Sequence, residues 1–173
     1  MHELVKSAPD VEIVWRAFEL RPDPVPTLDP KGDYLERVWR TSVYPLAEKL
    51  GMTMKLPALQ PRSRRAHEAA HWARTQGRFD EYHAAIFRAF FERGEDIGDT
   101  GVLVTLATGL GLEGESLRNA LETRQFEKSV IDDEEEAGVL GLTGVPAFVA
   151  DRKAALTGVQ PAKNLRQLID HVR

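Results

Sequence analysis

Cysteine is absent from all 173 positions of the sequence. That absence excludes disulfide bonds, thiolate metal sites, cysteine nucleophiles and dithiol redox chemistry carried by the chain itself. Long apolar runs are missing as well: none approaches the ~18 residues that span a bilayer. The first residues mix His2, Glu3, Lys6, Pro9 and Asp10, which is not the basic start and apolar middle of a signal peptide. The expected compartment is therefore the cytoplasm, with no membrane partner. A basic excess, the usual mark of a nucleic-acid binder, is also lacking. Lys and Arg number 23 against 27 Asp and Glu, a net charge of −4, so no nucleic-acid partner is expected. What is present is 42% hydrophobic and 29% charged, enough to bury a core in one domain of this length.

Residues 11–20, rich in β-branched and aromatic side chains, read as a strand between Pro9 and Pro22. Four prolines in 21–32 make a loop. From Asp33, the apolar residues Leu35, Val38, Trp39, Val43, Leu46, Ala47 and Leu50 follow the helical period as far as Gly51, with a kink or split expected at Pro45. Asp33 and Glu36 have capping-box spacing. Further helices are expected after Ser63, Asp80 and Asp99, around Leu117, and from Phe126 to Gly141. The pattern then changes. Ala147–Ala150 reads as a short apolar strand, Ala154–Leu156 pairs back as a hairpin, and a last helix starts at Pro161 with the stripe Leu165, Leu168, Ile169 and Val172. Strands this far apart in sequence imply one α/β domain over residues 1–173, with a helical insertion over 33–141.

Several segments invite a chemical reading. His67-Glu68-Ala69-Ala70-His71 matches the H-E-x-x-H zinc pattern on a helix. The third ligand of the extended motif is missing, since Arg74 and Gly77 stand downstream, so histidines in ordinary packing roles are expected and no metal site is assigned. Asp132 to Glu136 is an unbroken acidic run without the turn residues of a cation loop, and is expected to be a solvated helix face. Phe79, Tyr82, Phe87, Phe90 and Phe91 have core spacing. None of Ser7, Ser42, Ser63, Ser116 or Ser129 lies in a nucleophile-elbow context, and no glycine-rich loop opens a helix to hold phosphate. No cofactor is implied.

The remaining segment is Thr143-Gly144-Val145-Pro146-Ala147-Phe148-Val149. A proline entering a core strand is disfavoured unless it has a special role. Followed by a hairpin and a C-terminal helix, it resembles the cis-proline turn of thioredoxin-fold proteins, and a cis Val145–Pro146 bond is expected. Trp15-Arg16-Ala17-Phe18-Glu19-Leu20 before a proline-rich loop, Phe87-Arg88-Ala89-Phe90-Phe91 with Gly94, Asp96-Ile97-Gly98-Asp99, Leu142 to Phe148, and Gly158-Val159-Gln160-Pro161 match DsbA-like proteins of the FrnE type in order and spacing. The resemblance runs from Val11 to the end.

That family consists of thiol–disulfide oxidoreductases with a helical insertion in a thioredoxin fold. Its relatives include 2-hydroxychromene-2-carboxylate isomerases and kappa-class glutathione transferases. The resemblance implies an α/β, thioredoxin-like fold of DsbA type. Family members begin with a strand and a Cys-x-x-Cys motif (Ser in the isomerases) at the start of the first helix, where the helix N-terminus lowers the thiol pKa. Only Met1 to Asp10 precede Val11, so the first strand and the dithiol are expected to be missing, and no catalytic residue carries over. The family's cis-proline loop does carry over, onto Thr143, Gly144, Val145 and Pro146, as a binding feature for an extended peptide or a thiol-containing small molecule. The expected function is a redox-inactive DsbA-like protein. The alternatives are an isomerase- or glutathione-transferase-like enzyme, and a piece of a longer, active disulfide oxidoreductase. In the family fold the first strand lies between those like 11–20 and 147–150. Its loss would leave unpaired edges, and a homo-oligomer associating through them is expected.

Overall fold

The helical period from Asp33 to Lys49 meets Pro45, and the backbone changes pitch just ahead of it. In the computed structural model, which describes Leu4 and residues 8–173, α1 (Asp33–Val38) runs through a π-helical turn, Trp39–Val43, into α2 (Tyr44–Lys49). Proline has no N–H, and its ring crowds the carbonyl four residues back, here that of Thr41. The wider turn accommodates both, so the expected break is a change of helix type.

Small residues build the next part. Ala66, Ala69, Ala70 and Ala73 lie buried along α3 (Arg64–Thr75), which allows close packing with α4 (Phe79–Phe91), α5 (Thr100–Gly109) and α6 (Gly114–Glu122). Trp72, Tyr82, Leu103 and Leu117 fill the space between them. The buried Tyr82 hydroxyl donates to the Leu103 carbonyl at 2.8 Å, which satisfies its polar tip, and burial raises its pKa. Asp99 caps α5 by accepting the Val102 N–H at 3.0 Å. The other expected caps differ. Gly32 is the N-cap of α1, Ser63 makes no side-chain cap bond, and α4 starts at Phe79 with Asp80 inside its first turn. Asp33 and Asp80 thus act as charges near the positive helix end, not as hydrogen-bonding caps.

The chain forms two compact units, residues 21–130 and residues 1–20 with 131–173. The helical unit takes in the proline-rich loop and ends within α7 (Glu127–Val139). In the other unit β1 (Ala147–Ala150) pairs antiparallel with β2 (Ala154–Thr157), Ala147 opposite Thr157 and Ala150 opposite Ala154. Asp151 and Arg152 have φ of 48° and 57°, and Lys153 N–H donates to the Ala150 carbonyl at 3.0 Å. This is the tight turn whose twist suits a hairpin. α8 (Ala162–Val172) packs on both strands and buries Leu165 and Leu168. Pro161 is its N-cap, one position earlier than expected.

One expected strand is not formed. Residues 11–20 belong to no ladder, and the sheet of the described residues contains β1 and β2 alone. The composition suits a strand, but a strand also needs a neighbour to accept and donate its backbone hydrogen bonds, and none is paired with this segment. The expected strand 11–20, on the far side of the family's first strand from 147–150, therefore has no counterpart in the observed pairing.

Candidate functional site

The loop between α7 and β1 carries no titratable side chain, so its chemistry is that of shape and backbone. Thr143, Val145 and Pro146 are exposed and Gly144 is half-buried. Val145 keeps half of its surface, 50%. The Val145–Pro146 bond is cis, as is Asp23–Pro24 in the proline-rich loop. Gly158 N–H donates to the Pro146 carbonyl at 2.8 Å, which ties the loop to the end of β2. Gly158 has φ +75°, a conformation that suits a residue without Cβ. The adjacent Val159 is exposed. The four candidate binding residues thus form one continuous, fixed and partly apolar surface segment, able to meet an extended chain and unable to move a proton or attack an electrophile.

The acidic run on α7 differs from its expected solvated face. Asp133 is only 3% exposed. Its Oδ1 accepts from Arg16 Nη1 at 2.9 Å and its Oδ2 from the Ala17 backbone N–H at 2.8 Å. Glu134 Oε1 accepts from the Glu19 N–H at 3.0 Å. Glu136 lies 3.7 Å from Arg16 and also pairs with Arg152, while Asp132 and Glu135 are exposed. The signal was in the spacing: Asp133 falls three residues after Val130 and four before Ala137, both buried, so one acid of the run shares the apolar stripe.

Glu68, the would-be base of the zinc pattern, is buried at 4% exposure among the α3 alanines. Burial raises its pKa, Glu127 adds to the rise, and Arg64, Arg65 and Arg124 oppose it. No group of three or more His, Asp or Glu among the described residues is placed to hold a metal ion. The aromatic set separates. Tyr82 is in the core, whereas Phe79, His83, Phe87 and Phe91 form a ladder along α4, with successive centroids 5.0, 4.8 and 5.8 Å apart. Phe87 is 50% exposed, which corrects its expected core position: an i, i+4 row lies on one face whether or not anything covers that face. Burial lowers the His83 pKa, with Asp80 opposing and Arg74 adding to the fall.

The family model for the DSBA-like thioredoxin domain matches residues 1–170. The chain is 40% identical over 147 residues to the protein YwbO of Bacillus subtilis (strain 168), spanning 81% of this chain and 72% of that one. Among solved structures it is similar to a probable DsbA oxidoreductase from Streptomyces coelicolor, with TM-score 0.79 and 28% identity over 98% of this chain and 80% of the other. It is also similar to a 2-hydroxychromene-2-carboxylate isomerase, with TM-score 0.75 over 98% of this chain and 85% of the other. At 17% identity that second likeness is one of fold. No helix of the described residues is long and apolar enough to cross a membrane.

Proposed function

The chain belongs to the DSBA-like thioredoxin domain family, and from that premise we propose that it is a redox-inactive, FrnE-type member that binds extended peptide at the loop Thr143–Pro146. The observation that carries the reading is a pairing of presence and absence. The loop is exposed and fixed by the Gly158–Pro146 hydrogen bond, while the sequence contains no cysteine. Disulfide exchange proceeds by attack of a thiolate on sulfur, and this chain has no thiolate to offer. Binding of an extended segment needs only an accessible backbone and apolar side chains beside it, and Val145 and Val159 supply the latter.

Two measurements test the proposal. Insulin reduction by a thiol-free preparation is expected to stay at background, and turnover above background would refute redox inactivity. Carboxymethylated α-lactalbumin, a permanently unfolded polypeptide, is expected to bind wild type. Val145→Arg should weaken that binding at least fivefold with an unchanged circular dichroism spectrum. Equal binding by the variant would remove the loop from the site. Glutathione binding that the same substitution abolishes would instead favour the isomerase- or transferase-like alternative.

A further inference from the structure

Ala17 and Glu19 are two residues apart in a segment that belongs to no helix or ladder, and in extended backbone the N–H groups of residues i and i+2 face the same edge. A neighbouring strand would take both with carbonyl oxygens. Here both are taken by side chains of consecutive α7 residues, Ala17 by Asp133 at 2.8 Å and Glu19 by Glu134 at 3.0 Å. Asp133 is buried, and an ionised carboxylate is retained at such a place only when its oxygens are hydrogen-bonded and its charge is met. Both conditions hold: Oδ2 takes the amide and Oδ1 takes the Arg16 guanidinium at 2.9 Å. Arg16 also lies 3.7 Å from Glu136, which pairs in turn with Arg152 from the hairpin turn. Bonds from N–H to a carboxylate are stronger than those to a neutral carbonyl.

We propose that Asp133 and Glu134 form a carboxylate latch, a side-chain replacement for a strand neighbour, which holds residues 16–19 extended against α7. The latch and an added strand claim the same two amides, so they are mutually exclusive at this edge. The acidic run thus has a conformational role that its composition does not announce.

Residue-resolved amide hydrogen exchange on the full chain tests this, with wild type, Asp133→Ala, Glu134→Ala and the isosteric Asp133→Asn and Glu134→Gln. In wild type the Ala17 and Glu19 amides are expected to exchange at least tenfold more slowly than in an unstructured chain. Glu134→Ala should return Glu19 toward the unprotected rate, and Asp133→Ala should do so for Ala17. The Gly158 amide, held by the Pro146 carbonyl, should be unaffected. Glu134→Gln keeps one acceptor and should retain most of the Glu19 protection. Unprotected Ala17 and Glu19 amides in wild type would overturn the latch, as would rates unchanged by the alanine substitutions. Acceleration of Gly158 in step with Ala17 and Glu19 would also overturn it, since it would mean general loosening. If Asp133→Ala does not fold, the Glu134→Ala and Glu134→Gln pair decides the question alone.

Discussion

Glu68 has one carboxylate oxygen, Oε2, without a hydrogen-bond partner among the described residues. Three arginines favour its charge, yet burial wins and the pKa lies above its ordinary value of 4.5. The folded protein therefore binds the proton more tightly than the unfolded chain does. Between the unfolded pKa and the raised folded one, the native state holds more protons, so stability falls as pH rises through that window. Below it both states are protonated and Glu68 adds no pH dependence. Glu68→Gln removes the charge and keeps the shape. It is expected to stabilise by about 1 kcal/mol at pH 7, raising Tm by roughly 2–4 °C. At pH 4 the gain should shrink markedly. Thermal melts of both proteins at the two pH values check this; an equal shift at both would show that the carboxylate charge is not the cause.

Individual elements show how far local sequence chemistry reaches. Asp99 caps α5 through its bond to the Val102 N–H, whereas Ser63 stands at the N-cap of α3 with no such bond. Asp99→Ala is therefore expected to cost about 1 kcal/mol, and Ser63→Ala much less. Paired denaturant titrations would show it, and equal losses would contradict the geometry. The helices and the hairpin were legible because periodicity, glycine stops and proline positions are local signals. The π-helical turn at Trp39–Val43 was legible only as a disturbance at Pro45, since local chemistry fixes the problem but not which pitch solves it. Residues 11–20 read as a strand and form no ladder, because strand composition describes a side-chain surface, while pairing depends on a partner far away in sequence. The candidate loop was legible by position from a single proline before a short apolar strand. The burial of Asp133 follows from its spacing, a signal that the charge of its run masks.

At the scale of the whole molecule the two units are unequally furnished. Within residues 21–130, Trp39, Trp72, Tyr82, Ile86, Leu103, Leu117 and Leu121 are all buried. Among the described residues of 1–20 and 131–173 the buried apolar side chains are Leu4, Leu165 and Leu168 together with alanines. Full burial of one large apolar side chain contributes about 1.5–3 kcal/mol, so the helical unit holds much the greater share of the hydrophobic stabilisation. The hairpin unit relies more on polar ties such as Asp133 with Arg16 and Ala17. Regions with few buried apolar contacts open at lower free energy than a packed core. Native-state hydrogen exchange in low denaturant is thus expected to resolve two classes of amide. Those of β1 and β2 should exchange through an opening well below global unfolding, and those around Leu103 and Leu117 only through global unfolding. Convergence of both classes on one free energy without denaturant would show instead that the chain unfolds as a single cooperative body. The uneven distribution of large side chains would then not govern its local stability.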